Sequence, residues 1–164
     1  MEGQRDSDQQ PQRVIFVCTH NSARSQMAEG MLRTFGGDRF EVFSAGTEAT
    51  EVRPEAVTVM DEIGIDISSH HSKSIGDFMG ESFSWLITVC DEAKEACPTI
   101  PGVAKQQHWS IEDPSTVEGD EEARLEAFRD TRDIIRDRVH IFALAAGRDD
   151  LPQPEPQTVG GGTG

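Results

Sequence analysis

The chain has 164 residues, of which 30 are acidic and 15 are basic, and its formal net charge is −15. This length predicts one domain with a continuous core, and the negative charge disfavours nucleic acid and anionic membranes as partners. The sequence has no apolar run near the roughly 20 residues that cross a bilayer, and no apolar secretory signal. We therefore predict a cytoplasmic protein.

The basic residues are mostly arginine, because Lys73, Lys94 and Lys105 are the only lysines. An acidic surface repels itself, and molar salt screens that repulsion by shortening the Debye length to about 3 Å at 1 M. The acidic, lysine-poor composition therefore indicates a halophilic source. An ordinarily acidic protein is the alternative.

Two polar segments flank the predicted domain. Residues 1–12 contain a proline and repeated glutamine, and residues 147–164 have no apolar period. Both compositions predict disorder, as an N-terminal arm and a C-terminal tail. The folded domain then covers residues 13–146, without internal repeats.

Four short stretches predict strands within this domain. The first, VIFV, is an uninterrupted apolar run, which is typical of a strand buried on both faces of a parallel sheet. The predicted strands are 14–17, 40–46, 84–89 and a short one around 105–109.

Helical patterns alternate with these strands. The first helix covers 23–35, with Met27, Met31, Leu32 and Phe35 on one face, and ends at a pair of glycines. The second has Pro54 in its first turn and ends at Gly64. Its predicted apolar stripe consists of Val57, Met60 and Ile63.

The second half contains one long helix and two weaker patterns. Residues 72–80 are a weak helical pattern, and 91–96 are a short polar helix or loop. The last helix has an apolar stripe that predicts core packing: Leu125, Phe128, Ile135, Val139, Phe142 and Ala146. Strands and helices in alternation predict an α/β domain, an open parallel sheet with helices on both faces.

The loop between the first strand and the first helix consists of Cys18, Thr19, His20, Asn21, Ser22, Ala23, Arg24 and Ser25. In open parallel sheets ligands bind at the carboxyl ends of the strands. A tight loop at a helix N-terminus turns its N–H groups around an anion, and the planar fork of Arg24 can hold two oxygens. In such a field a thiol ionises readily and becomes a nucleophile. Ser25 is placed to bond the thiolate, and Asn21 to adopt a left-handed turn.

A cysteine six residues before an arginine is a weak signal by itself. The alternative is that Cys18 is a small buried hydrophobe and Arg24 a solvated helix residue. The strand before the loop, the helix after it and the small polar residues between them favour the oxyanion site. Neither GxxxxGK nor GxGxxG occurs in the sequence, so nucleotide binding has no support.

The cysteines are Cys18, Cys90 and Cys97. An odd number does not suit a disulfide framework and fits reactive thiols or a metal site better. His108 could complete a zinc site with Cys90 and Cys97, but cysteines seven apart exceed the usual spacing, and no fourth ligand is apparent. We therefore predict no metal and no cofactor.

Five motifs carry a resemblance to a known family: NSARSQMAEG, FSAGT, IGIDISSHHSK, TVCDEAKEACP and HWSIEDP. They resemble the low-molecular-weight protein tyrosine phosphatase superfamily, and within it the thioredoxin-coupled arsenate reductases. The resemblance implies a flavodoxin-like, four-stranded sheet with the loop from Cys18 to Arg24 as the oxyanion site. It further implies that Asp113 is the general acid and that Cys90 and Cys97 are redox cysteines.

Both activities of that superfamily begin with attack of Cys18 on an oxyanion. A phosphatase releases the adduct with water, whereas an arsenate reductase uses a second thiol. Two departures disfavour a tyrosine phosphatase: Ser115-Thr116 replace aromatic residues after Asp113-Pro114, and Gln26 follows Arg24-Ser25 where phosphatases usually have proline. We expect an arsenate reductase, with a phosphatase as the alternative and a non-catalytic oxyanion or redox sensor as a third possibility.

For a reductase we expect Cys90 to attack the Cys18 adduct and Cys97 then to attack Cys90. A helix over the intervening residues rises about 10.5 Å in seven residues, whereas a disulfide needs Cα atoms within about 7 Å. The segment must therefore unwind and expose the Cys90–Cys97 bond to a thioredoxin-like reductant. We expect the protein to be a monomer. Lys73 stands at a position near the loop where the resemblance implies an acidic residue.

Overall fold

The computed structural model describes residues 10–91 and 100–146. Its four strands form one parallel sheet, as predicted, and their order in the sheet is β2-β1-β3-β4. The strands are β1 Gln12–Cys18, β2 Phe40–Gly46, β3 Phe83–Thr88 and β4 Val103–His108.

Three α-helices connect and cover these strands: α1 Arg24–Gly36, α2 Pro54–Asp61 and α3 Glu121–Ala146. Short 3₁₀ helices lie at Gly37–Arg39, Ile75–Phe78 and Pro114–Thr116. Within the described part of the chain, no helix is both long and apolar enough to span a bilayer.

The strand order places a topological switch at the end of β1. The chain leaves β1 for β2 on one side and later returns to β3 on the other, so that Val14 pairs with both Val42 and Trp85. Ligands of open parallel sheets bind at such a point, beyond the carboxyl ends of the strands. Cys18 is the last residue of β1 and lies at this point.

The two faces of the sheet are covered unequally. Val14, Phe16 and Cys18 pack in one cluster with buried residues of all three α-helices. Ile15 and Val17 face the other way, toward a smaller cluster that includes Phe78 of a 3₁₀ helix. Alternate residues of β1 thus serve opposite faces, which explains why the run is apolar throughout.

Most predicted elements are confirmed, and several bounds differ. β1 begins at Gln12, one residue before the predicted domain start, and the Gln12 amide bonds the Ala146 carbonyl at 2.6 Å. The weak helix predicted over 72–80 is reduced to Ile75–Phe78. The predicted tail, most of the predicted arm and residues 92–96 of the predicted short helix or loop lie outside the described residues.

The stripe predicted for α2 packs against the core but is not the most buried face of the helix. Met60 is fully buried, Val57 and Ile63 are partly buried and pack against the same cluster, and the buried face consists of Ala56, Val59 and Met60. The helix ends at Asp61 because a turn follows, in which Gly64 has φ of 81° and donates to the Asp61 carbonyl.

Candidate active site

The 18–25 loop packs tightly against the end of β2. A Cβ added at Gly46 would lie 2.6 Å from the Thr19 oxygen and 2.8 Å from the Asn21 nitrogen. Only glycine leaves room for the loop backbone at this distance. The glycine in the FSAGT motif therefore has a steric role at the site.

The chain after β2 holds the carbonyl groups of the loop. Three backbone N–H groups donate to them: Glu48 to Thr19 at 2.8 Å, Thr50 to His20 at 3.4 Å and Arg53 to Ser22 at 2.9 Å. In a trans peptide the N–H points opposite to the C=O. Because these carbonyls face the outer segment, the N–H groups of the following residues point toward the inside of the loop, where an anion can bind.

Asn21 gives the loop its tight turn. Its φ of 52° makes it the one non-glycine residue with a positive φ in the described ranges, and its side chain is fully buried. Asparagine tolerates this left-handed conformation better than most residues. The predicted turn at Asn21 is confirmed.

The Cys18 sulfur lies inside this loop. Its thiol is not in a disulfide and is 2% exposed. The Ser25 hydroxyl lies 2.9 Å from the sulfur, as predicted, and the Asn21 N–H donates to it at 3.3 Å. Polar donors thus surround the atom that would carry negative charge as a thiolate.

Arg24 begins α1 and crosses the site to the segment after β4. Its guanidinium is buried and donates to the Ile111 carbonyl at 2.8 Å, with Asp113 Oδ2 at 3.7 Å. Ala23 precedes the helix and makes no side-chain cap bond. Because α1 begins directly after the loop, the partial positive charge of the helix N-terminus lies beside it.

Asp113 caps the 3₁₀ helix Pro114–Thr116. Its Oδ1 accepts from the Ser115 N–H at 2.9 Å and from the Ser115 hydroxyl at 2.7 Å, while Oδ2 is directed toward Arg24. Asp113 is therefore a turn residue, and the same turn also places its carboxyl group beside the Arg24 guanidinium.

Cys90 lies at the same edge of the sheet. The N–H of Val89 donates to the Val17 carbonyl at 2.9 Å, so the chain beyond β3 still runs beside the end of β1. Cys90 is fully buried and disulfide-bonded, and its carbonyl accepts from Ile111 at 3.4 Å. Cys97 lies outside the described residues.

His108 does not join a metal centre in the described residues. Its Nδ1 lies 2.6 Å from the Thr88 hydroxyl. No group of three or more metal-binding side chains comes together in residues 10–91 and 100–146.

Sequence reasoning missed the residues that support the loop from behind. Gln26 is fully buried and donates to Asn21, and Ser72 donates to the Asn21 carbonyl at 2.6 Å. The motif IGIDISSHHSK contains Ser72, but nothing in its pattern indicates which loop atom it would contact.

Lys73 contributes to the support mainly through its backbone. Its N–H donates to Asn21 Oδ1 at 2.8 Å, whereas its ammonium donates to the His71 carbonyl at 2.8 Å and lies 3.9 Å from Glu29. Burial lowers the pKa of Lys73, and the Glu29 carboxylate opposes that shift. Burial likewise lowers the pKa of the neighbouring His70.

Residues 13–151 match the low molecular weight phosphotyrosine protein phosphatase family, and the chain belongs to that family. The relatives with which it shares most of its length are arsenate reductases: one of Halalkalibacterium halodurans is 42% identical over 130 residues, and one of Bacillus subtilis is 41% identical over 130 residues. Each alignment covers 79% of this chain and 94% of the relative.

A solved structure of an arsenate reductase in the phosphate binding state is similar over most of this chain. It superposes with a TM-score of 0.69 at 34% identity, covering 81% of this chain and 97% of that one. The predicted family and the flavodoxin-like fold are confirmed.

Proposed function

We propose that this chain is an arsenate reductase that passes electrons from its own thiols to arsenate. The observation that most supports this function is the position of two cysteines at one edge of the sheet. Cys18 lies inside the anion-binding loop, and Cys90 lies just beyond the end of the neighbouring strand. The similarity to arsenate reductases over most of the chain supports the same substrate.

In the first step the Cys18 thiolate attacks arsenic, and one arsenate oxygen leaves as water. Arg24 and the inward N–H groups of the loop hold the remaining oxygens. Asp113 supplies a proton to the leaving oxygen as general acid. The product is a covalent adduct with a sulfur–arsenic(V) bond.

In the second step the Cys90 thiolate attacks the Cys18 sulfur. The sulfur–arsenic bond breaks and its electron pair remains on arsenic, which leaves as arsenite. Two thiols have then become a Cys18–Cys90 disulfide, which balances the two electrons gained by arsenic. Cys97 attacks Cys90 and frees Cys18. A disulfide-bonded Cys90 beside a Cys18 thiol outside any disulfide supports this last stage of the relay.

A thioredoxin-like protein then reduces the relay disulfide and restores the enzyme. We further propose that the protein is cytoplasmic, since its thiols must be returned to the reduced state after each turnover, and that it is a monomer. The only ligands that the reaction itself requires are the oxyanion and the reductant.

The relay is tested by single and multiple turnover with reduced protein and arsenate. Cys97→Ser should release one arsenite and stall with Cys18 and Cys90 joined, which peptide mass spectrometry detects. Cys90→Ser should release none but keep any hydrolysis of an aryl phosphate. Sustained arsenite release by either variant would contradict the relay.

The alternative phosphatase is tested on the same preparation. Rapid hydrolysis of an aryl phosphate by the wild-type protein, without arsenate-dependent oxidation of thioredoxin, would favour it. Oxyanion binding without either turnover would indicate a sensor.

A further inference from the structure

We propose that Gln26 is a positioning residue for the nucleophile, which fixes the Asn21 side-chain amide and thereby directs the Ser25 hydroxyl proton to the Cys18 sulfur. This role rests on the proposed function of Cys18 as nucleophile. Gln26 itself touches neither the Cys18 sulfur nor, in the proposed reaction, the oxyanion.

The orientation of the Asn21 amide follows from its neighbours. Its Oδ1 lies 2.8 Å from the backbone nitrogen of Lys73, which can only donate, and 2.9 Å from Nε2 of Gln26. Its Nδ2 therefore faces the Ser25 hydroxyl at 2.7 Å and donates to it. The Ser25 oxygen accepts that bond, so its single proton is left for the Cys18 sulfur at 2.9 Å.

Gln26 is in turn held in one orientation. Its Nε2 lies near three oxygens, namely Asn21 O at 3.1 Å, Asn21 Oδ1 at 2.9 Å and His71 O at 2.9 Å. Its Oε1 faces Nδ1 of His70 at 2.9 Å, which must donate because the amide oxygen can only accept. A fully buried amide needs such partners, since an unpaired one is costly.

The hydrogen bonds of this series all donate toward Cys18. His70 donates to Gln26, Gln26 to Asn21, Asn21 to Ser25, and Ser25 to the Cys18 sulfur. Bonds aligned in this way polarise one another. A hydroxyl that donates to a thiolate stabilises the charged form of the sulfur. Without Gln26, the Lys73 N–H alone would hold Asn21 Oδ1, so the amide would be fixed less firmly and the Ser25 proton would be directed to the thiolate less consistently.

Ser72 offers a matched control. It also bonds Asn21, at 2.6 Å, but through the backbone carbonyl rather than the side-chain amide. Its hydroxyl supports the turn without deciding which way the Asn21 amide points. Loss of Gln26 should therefore change the ionisation of the Cys18 thiol, whereas loss of Ser72 should change only the stability of the turn.

The experiment measures alkylation of Cys18 by iodoacetamide across pH, in full-length protein with Cys90 and Cys97 replaced by serine. Gln26→Met, similar in length but without the amide, should slow alkylation three- to tenfold below the midpoint of the profile and move the midpoint to higher pH, as expected for about one weakened hydrogen bond. Ser72→Ala should lower the melting temperature and leave the midpoint in place. An unmoved midpoint in Gln26→Met, or an equal shift in Ser72→Ala, would overturn the proposal.

A second measurement does not depend on the folding of a variant. In the same Cys18-only protein, the side-chain amide signals of Asn21 and Gln26 in NMR spectra should both shift as Cys18 loses its proton. A Gln26 signal that stays constant through that titration would also overturn the proposal. Neither measurement uses arsenate, so a failure here is distinct from a failure to reduce arsenate.

Discussion

The 18–25 loop and the segment 110–117 face the same site but are held in different ways. The loop is bonded by residues far along the chain, including the backbone of 48–53, the Ser72 hydroxyl and the backbone N–H of Lys73. In the segment 110–117, Ile111 is bonded to Cys90 and Arg24, but from Asp113 to Val117 the bonds are largely those of a local turn, in which the residues fold back on their neighbours. Long-range bonds make a preorganised loop, whereas a local turn can shift as a unit.

This difference suits the two chemical tasks. An oxyanion site works best when its dipoles are fixed before the substrate arrives, because no reorganisation is then needed during the reaction. A general acid must approach the leaving oxygen and then let the product go. Arg24 links the two regions through the Ile111 carbonyl.

The largest effect is expected at the sulfur itself. Cys18→Ser keeps the size of the side chain and its bonds to the loop but removes the nucleophile, so both arsenate reduction and aryl phosphate hydrolysis should be lost. Circular dichroism and thermal melting should match the wild type. Retained arsenate reduction would refute the role of Cys18.

The second largest effect is expected at Asp113, the proposed general acid. Asp113→Asn keeps the shape of the turn but cannot donate the proton, and general acid catalysis contributes about 10²–10⁴-fold. The rate of the first step should fall by roughly that factor in single-turnover experiments, with little change in oxyanion affinity. A normal rate on both arsenate and an aryl phosphate would leave Asp113 as a turn residue only.

A smaller effect is expected from disturbing the loop backbone. The Cβ of Gly46→Ala would meet the Thr19 oxygen at 2.6 Å, so the loop must move, and such overpacking costs about 1–3 kcal/mol. Phosphate affinity, measured by calorimetry as a substitute for arsenate, should fall together with the melting temperature. Gly76→Ala is the control, because its Cβ would only meet a side-chain oxygen at 3.5 Å. Equal phosphate affinity in both variants would show that the loop adapts.

Local sequence signals predicted the parts of this molecule that depend on neighbours in the chain. The apolar run of β1, the glycine pair after α1 and the long stripe of α3 each determine an element by themselves. The bond between Cys18 and Ser25 was predictable for the same reason, since both residues belong to one short loop.

Contacts between distant residues were beyond such reasoning. Ser72 meets Asn21 across 51 positions because β2 and the following turns bring the two together. Gln26 is only five residues from Asn21, but its side chain is also held by His70 and His71, 44 and 45 positions away. The burial of Ala56 and Val59 in α2 was not predicted, because the tertiary packing of that helix decides which of its residues are most covered. The halophilic source and the disordered arm and tail stay predictions.

The smallest effect is expected at Ser115, which orients the carboxyl group of Asp113. Ser115→Ala removes the hydroxyl bond to Asp113 Oδ1 at 2.7 Å and keeps the N–H bond at 2.9 Å, so the carboxyl group should be held less firmly. One neutral donor contributes about 0.5–1.5 kcal/mol, which corresponds to a two- to tenfold slower first step.

Thr116→Val is the control for this prediction, because the Thr116 hydroxyl donates at 2.9 Å to the backbone carbonyl of Asp113 and not to its carboxyl group. The single-turnover rate should therefore fall in Ser115→Ala and stay near the wild type in Thr116→Val, while melting temperatures report any damage to the turn. If both variants slow the first step equally, the turn as a whole positions the acid and the Ser115 hydroxyl has no separate part. If neither variant slows the first step, the Ser115 N–H and the Arg24 guanidinium are sufficient to orient the carboxyl group. The segment around Asp113 would then be held more firmly than its local bonds indicate.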